Sequence, residues 1–286
     1  MSKKRPMHNS LRDIKSRIPG SGPNLGQRLL AQVKELVAAI RFLTVIPIPG
    51  STQLFSTDEK GANADLIIGS AYFPLVGLLI ALLLFALLLI VSQFLPPLVL
   101  AALIVVAQVV LTGGLHMDGL MDSSDGLFGG STPERRLEIM RDSRVGSFGV
   151  LAGGCVLLFK FAVFASLSVH LLAQAVLMVL PVARWAMILT VSLFPGARIT
   201  GLGAAFRQTV TLPRLLVAGI TTLIIVVVVG HLAGLLVLFV GTLAAVAAGA
   251  WVTRRLGGLT GDCYGAIEEV AELVMLLLIV LLNPWF

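Results

Sequence analysis

Seven apolar stretches, at about 66–94, 97–112, 148–169, 171–194, 213–230, 232–252 and 265–283, dominate the chain. Each approaches the roughly 20 residues that a helix needs to cross a hydrocarbon core of about 30 Å. The balance agrees: 57% of residues are hydrophobic and 13% charged, with a mean hydropathy of +0.98, against roughly 25% charged in an average soluble domain. The sequence therefore predicts an all-α, polytopic transmembrane helix bundle of about seven spans. A further segment, 27–46, carries Arg28, Lys34, Glu35 and Arg41 along an otherwise apolar helix. That pattern suits an N-terminal interfacial helix lying on the membrane surface.

The basic stretch from Lys3 to Arg17 is followed by mixed sequence and not by a compact apolar region with a small-residue cleavage site, so the N-terminus is expected to stay on the mature protein. Residues 1–25 read as a basic, disordered extension and 26–286 as one integral-membrane domain. Cys155 within a span and Cys263 in a loop make no disulfide framework. The net charge of +6 sits in a tail and in short loops beside spans. It is read as membrane topology and not as a nucleic-acid surface.

The connections alternate in kind. Phe94–Pro97, Ser168–Leu171 and Gly230–Leu232 are tight turns without lysine or arginine, whereas the N-terminal region, 113–147, 195–212 and 253–264, with Arg214 just beyond, put nineteen of the twenty-one basic residues on one side. By the positive-inside rule that side is the cytoplasm. All fifteen acidic residues map to the same side, so separate acidic segments can share one cytoplasmic face. The two remaining cations, Lys160 and Arg184, fall deep within spans. Such residues face the bundle interior and mark either function or an interhelical bond, and for Lys160 snorkelling is a further reading.

Against this background "GGLHMDGLMDSSDGLFGG" (113–130) stands out, because Asp118, Asp122 and Asp125 are spaced i, i+4, i+7 at the end of an apolar run. On a helix all three carboxylates share a face. Their repulsion near lipid is poorly screened, and a divalent cation resolves it. Oxygen donors that leave room for substrate phosphates favour Mg²⁺. The alternative is an acidic loop whose aspartates cap helix ends. His116 can bind or orient substrate, or serve only a local hydrogen bond.

Downstream, "STPERRLEIMRDSRVGSFG" (131–149) opens with a possible capping box between Ser131 and Glu134, with Pro133 in the first turn. Arg141 and Arg144 flank Asp142 and either pair within the helix or grip substrate phosphate. The last acidic block, "GGLTGDCYGAIEEVAEL" (257–273), sets Asp262 in a glycine-rich turn and Glu269 and Glu272 on the start of the final span, with Glu268 expected on the wet side. Carboxylates entering a bilayer are costly unless they serve a cavity.

The ordered blocks "RFLTVIPIP" (41–49), "FPLVG" (73–77), "LHMDGLMDSSDG" (115–126), "LEIMRDSRVGSFG" (137–149) and "GLTGDCYGA" (258–266) resemble the cobalamin synthase family, the adenosylcobinamide-GDP ribazoletransferases. The resemblance covers nearly the whole chain after the first 40 residues. It implies an Mg²⁺-dependent inner-membrane enzyme that joins adenosylcobinamide-GDP with α-ribazole, or its 5′-phosphate, and releases GMP. It places the family's acidic motif on Asp118, Asp122 and Asp125, its Arg-Asp-Ser-Arg block on Arg141, Asp142, Ser143 and Arg144, its Gly-Asp turn on Gly261 and Asp262, and its later glutamate on Glu272. Asp125 or Glu272 is the expected proton acceptor.

Three other classes compete. A CDP-alcohol phosphatidyltransferase also sets aspartates at the cytoplasmic end of a bundle, but its Asp-Gly-x-x-Ala-Arg pattern departs here at Asp122 and Ser123. A prenyltransferase uses aspartate-bound Mg²⁺ but lacks the Gly-Asp turn and the Arg-Asp-Ser-Arg block. A cation transporter would need charges leading through the membrane, and only Lys160, Arg184 and Pro181 hint at that. The expected partners are two small-molecule substrates and membrane lipid. "LAAVAAGAWV" (243–252) permits close helix packing, within the bundle or in a homo-oligomer.

Overall fold

The computed structural model describes residues 24–48 and 68–282. The extension expected at 1–25 lies outside them but for its last two positions. Among the described residues the chain forms ten α-helices and no strand, the all-α bundle that the apolar runs predict.

Helix α1 (Leu25–Leu43) opens with a reciprocal cap. The Asn24 side chain accepts from the Gln27 N–H at 2.9 Å and the Gln27 side chain accepts from the Asn24 N–H at 3.0 Å. Its first half exposes Leu25, Leu29, Leu30 and Val33, while Ala38, Ala39 and Leu43 are buried. The Glu35–Arg214 ion pair, at 2.6 Å, ties it to the bundle. This is the helix expected at 27–46, begun two residues earlier.

The bundle follows as α2 (Phe73–Val91), α3 (Pro97–Thr112), α4 (Leu115–Gly129), a short α5 (Pro133–Ile139), α6 (Ser147–Ser166), α7 (Val169–Leu193), a second short helix α8 (Leu202–Thr209), α9 (Leu212–Leu256) and α10 (Gly261–Leu282). Helix α7 is the central strut, buried over most of its length and packed by α2, α9 and α10. Pro181 removes one hydrogen bond from its interior. There α2 comes into backbone contact, since a Cβ on Gly77 would stand 2.6 Å from the Leu180 carbonyl oxygen. Helix α9 breaks at His231 (φ 48°, ψ −127°), and Gly234 lies against the Val226 carbonyl, so the chain turns at the Gly230–Leu232 link that the sequence predicts.

Four helical stretches are long and apolar enough to cross a membrane: Ser70–Val91, α6, α7 and α9. Counting the bent pair of α3 and α4 as one span makes five. The expected count of seven is not confirmed, for three reasons. Two of the expected runs lie within the single broken α9, α10 carries four carboxylates, and α3 has only 16 residues before an 88° bend. Of the small residues of 243–252, Ala245 and Gly249 face inward, Gly249 against the Phe194 ring, whereas Ala247 is exposed. The inward pair is engaged within the chain and gives no support to a homo-oligomer.

Candidate active site

The bend between α3 and α4 makes the site. Gly113 and Gly114 both take left-handed backbone angles (φ 62° and 70°), conformations open to glycine at little cost, and they turn the chain by 88°. Helix α4 therefore runs along the end of the bundle, and we read it as lying at the membrane face. It crosses the start of α10 at two glycines. A Cβ on Gly119 would come within 2.6 Å of the Asp262 carbonyl oxygen, and one on Gly265 within 3.1 Å of the His116 Cα. This crossing brings Asp118 and Asp122 beside Asp262, which lies 144 positions beyond Asp118 in the sequence.

The aspartates of α4 have divergent surroundings. Asp118 is exposed and lines a cavity, and Asp122 is half-buried. Among the described residues neither has a hydrogen-bond or ion-pair partner. The Asp122 carboxyl is pushed up to about 6, first by burial and then by the charges of Asp118, Asp262 and Asp125, with Arg198 opposing. Asp125 is buried, and its two oxygens accept from the backbone N–H groups of Gly146 (2.7 Å) and Gly149 (2.8 Å). It therefore caps α6 from another helix, where the macrodipole favours a negative charge. A side chain at either glycine would collide with that carboxylate.

Sequence reasoning overlooked Arg198, in the link between α7 and α8. Its guanidinium donates to the Leu137 carbonyl at 3.0 Å and stands 3.7 Å from Asp262, whose carboxylate also accepts from Thr260 Oγ1 at 3.2 Å. The Arg198 signal was weak, because it reads as one more basic residue of a cytoplasmic loop. Helix α5 is capped by Thr132 and not by Ser131, as expected from the capping box, since Thr132 Oγ1 accepts from the Arg135 N–H. Arg141 is exposed, and Arg144 forks onto Asp142 at 2.7 Å. That hydrogen bond holds the Asp142 carboxyl down at about 2.

Beneath the site lies a buried charge cluster. Lys160 Nζ is 2.6 Å from Glu269 and 3.0 Å from Glu272, and Gln108 Nε2 donates to Glu272 at 2.7 Å. Arg184 lies 2.6 Å from Glu268, which His116 Nδ1 approaches at 3.2 Å. The expectation that Glu268 faces water is corrected: it is fully buried, because Arg184 and His116 converge on it. The three glutamates are the one triplet of candidate metal ligands among the described residues whose ligand oxygens lie within 4.8 Å of one another, and each already pairs with Lys160 or Arg184. Gln108 is a second residue that the sequence reading missed, an isolated polar residue in an apolar run.

A cavity of about 250 Å³ opens beside Asp118, Asp262 and Arg198 and is walled on its buried side by Phe206 and Tyr264. The Phe206 ring stacks on Phe73 (5.1 Å between centroids), tilts against Phe42 (5.9 Å) and meets Tyr264 edge-on (5.8 Å). Arg207 donates to the carbonyls of Val191 and Phe194 beside it. The arrangement can place an aromatic ligand against rings while acids and an arginine face its polar end.

Comparison with known proteins is consistent across nearly the whole chain. A sequence model described as cobalamin-5-phosphate synthase matches residues 35–280. Curated proteins named adenosylcobinamide-GDP ribazoletransferase are similar. The Desulfitobacterium hafniense (strain Y51) protein is 40% identical over 87% of this chain and 97% of its own length. The Roseiflexus sp. (strain RS-1) protein is 39% identical over 86% and 89%. The Desulforamulus reducens protein is 38% identical over 85% and 94%. No solved structure matches the chain.

Proposed function

The chain belongs to the cobalamin-5-phosphate synthase family, and from that premise we propose that it transfers a phosphocobinamide group from adenosylcobinamide-GDP to α-ribazole, or its 5′-phosphate, with release of GMP. The observation that carries the site assignment is the meeting of Asp118, Asp262 and Arg198 in the lining of one cavity, with Asp122 one helical turn behind Asp118 and within reach of their charges. A ribose hydroxyl attacks phosphorus as GMP departs, so negative charge gathers on phosphoryl oxygens.

Mg²⁺ fits this mouth. Asp118 and Asp122 offer hard oxygen donors one helical turn apart without a cation of their own, and Asp122 is raised by burial and by its acidic neighbours. When bound, the ion would supply charge neutralisation and orientation for the diphosphate. Asp118 and Asp122 would hold it with Asp262 alongside, and Arg198 would stabilise the leaving phosphate by forked hydrogen bonds. Asp125 is assigned instead to positioning, because its oxygens are engaged by the amides that start α6. Glu272 is likewise engaged by Lys160 and Gln108, and Glu269 by Lys160. The exposed Arg141 and Arg144 lie just before the segment that Asp125 anchors, and we assign them to substrate phosphate.

The enzyme is further proposed to sit in the inner membrane with its N-terminus and active site cytoplasmic. The basic residues of α5, α8 and the end of α9 support that orientation. The exposed leucines of α1 support contact with lipid. The transfer itself is tested by supplying both substrates to the purified protein in detergent and identifying the corrinoid product by mass. Formation of adenosylcobalamin or its 5′-phosphate supports the reading, and intact adenosylcobinamide-GDP after prolonged incubation of folded protein overturns it.

A further inference from the structure

The cavity is chemically two-sided. Its acids lie where the chain is open, with Asp118 exposed and Asp262 half-buried, while Phe206 and Tyr264 are each only 2% exposed. Phe42, Leu115, Met187 and Leu259 complete the apolar wall. Of the basic groups that line it, Arg207 is committed to the Val191 and Phe194 carbonyls, Arg198 to the Leu137 carbonyl and Asp262, and His116 to Glu268 through Nδ1, while His116 Nε2 has no hydrogen-bond partner among the described residues.

Two flat bases compete for such a wall in this reaction. Guanine carries O6, N7, N1–H and an exocyclic amine, and burying it among apolar side chains leaves several of these unpaired, each at a cost of about 1–3 kcal/mol. The benzimidazole of a ribazole presents one free ring nitrogen and otherwise only carbon edge, so at most one such group is left unpaired there. Size does not separate the two bases, but it excludes the corrinoid. About 250 Å³ falls below the roughly 300–1,000 Å³ of pockets that enclose drug-sized ligands, enough for a bicyclic base but not for a corrin ring.

Resting on the transferase reading above, we infer that the aromatic wall of Phe42, Phe206 and Tyr264 is the subsite for the base of the ribazole acceptor. The guanine and the corrinoid stay outside it. The acceptor's ribose then points to the mouth, toward Asp118, Asp262 and Arg198, where its hydroxyl meets the phosphate that is attacked. The wall selects for a flat, hydrogen-bond-poor base.

The test uses Phe42→Ala and Phe42→Leu, because Phe42 is half-buried and its loss leaves Phe206 stacked on Phe73. Calorimetric binding of α-ribazole to the detergent-purified protein is measured together with KM for each substrate. The expected result is a roughly tenfold loss of α-ribazole affinity in Phe42→Ala, in line with base stacking on one ring, and a smaller loss in Phe42→Leu. KM for adenosylcobinamide-GDP should stay within about twofold, the same bound applied to a neutral change. A raised KM for the corrinoid nucleotide alone, or equal losses for both substrates, overturns the inference. Wild-type protein that binds α-ribazole through Phe42 yet forms no product would instead leave the subsite standing and overturn the transferase reading.

Discussion

Asp125 Oδ1 accepts the backbone N–H of Gly149 at 2.8 Å, across twenty-four residues of chain, and so joins the aspartate helix to the start of α6. Together with the Gly146 contact it makes Asp125 a cap supplied in trans. Asp125→Asn replaces one acceptor by an amide that faces an N–H donor. The expected destabilisation is about 1–3 kcal/mol, read as a lowered unfolding midpoint in detergent, with Mg²⁺ affinity unchanged. Gly149→Ala should cost a similar amount, because its Cβ would collide with the same carboxylate. A loss of Mg²⁺ affinity in Asp125→Asn at full stability would return Asp125 to the metal site.

Gly119 sets the distance between α4 and α10. Gly119→Ala puts a methyl 2.6 Å from the Asp262 carbonyl oxygen, and the helices must part. A displacement of about 1 Å at reacting groups costs on the order of a hundredfold in rate, so kcat should fall by about that factor while the protein stays folded. Gly154→Ala, which meets nothing within 4 Å, is the control and should leave kcat unchanged.

Much of this arrangement was legible in the sequence. The apolar runs predict the bundle, and the uncharged link at Gly230–Leu232 predicts the break that the structure places at His231. The i, i+4, i+7 spacing predicts one helical face, which α4 has. It did not reveal that a shared face is not a shared ligand shell. Seven residues of helix advance about 10 Å along the axis, which carries Asp125 to α6 while Asp118 stays at the cavity. Nor could it show Arg198 or Asp262 beside that face, because the crossing of α4 and α10 depends on close approach at Gly119 and Gly265. The glutamates of α10 were read as facing a cavity or water, and partners from α6 and α7 could not be assigned to them without the packing.

Lys160 is the counter-charge for two carboxylates inside the bundle. Lys160→Met leaves Glu269 and Glu272 buried together without it, and breaking such a pair costs about 3–5 kcal/mol. The variant should purify in low yield with a broadened size-exclusion peak. Adding Glu269→Gln should recover part of the loss, since it removes one of the stranded charges. A Lys160→Met protein as stable as the wild type would contradict the structural role assigned to the cluster.

Arg198 reaches Asp262 and the Leu137 carbonyl from one planar guanidinium. Arg198→Lys keeps the charge but loses the fork. It should lower kcat by roughly tenfold to a hundredfold, comparable to removing one donor from a charge-stabilising site, with little change in unfolding midpoint. Steady-state GMP release checks it, and a Lys variant with wild-type kcat would exclude Arg198 from the transition state.

The central claim is that Asp118 and Asp122 hold the ion that makes GMP leave. The most direct measurement is GMP release from adenosylcobinamide-GDP with α-ribazole present, for wild type and Asp118→Asn, in Mg²⁺ and in EDTA. The wild type should release GMP only with both α-ribazole and Mg²⁺, and folded Asp118→Asn should lose at least about a hundredfold of that rate. Undiminished release by Asp118→Asn, or by the wild type in EDTA, would contradict the metal site at the mouth of the cavity.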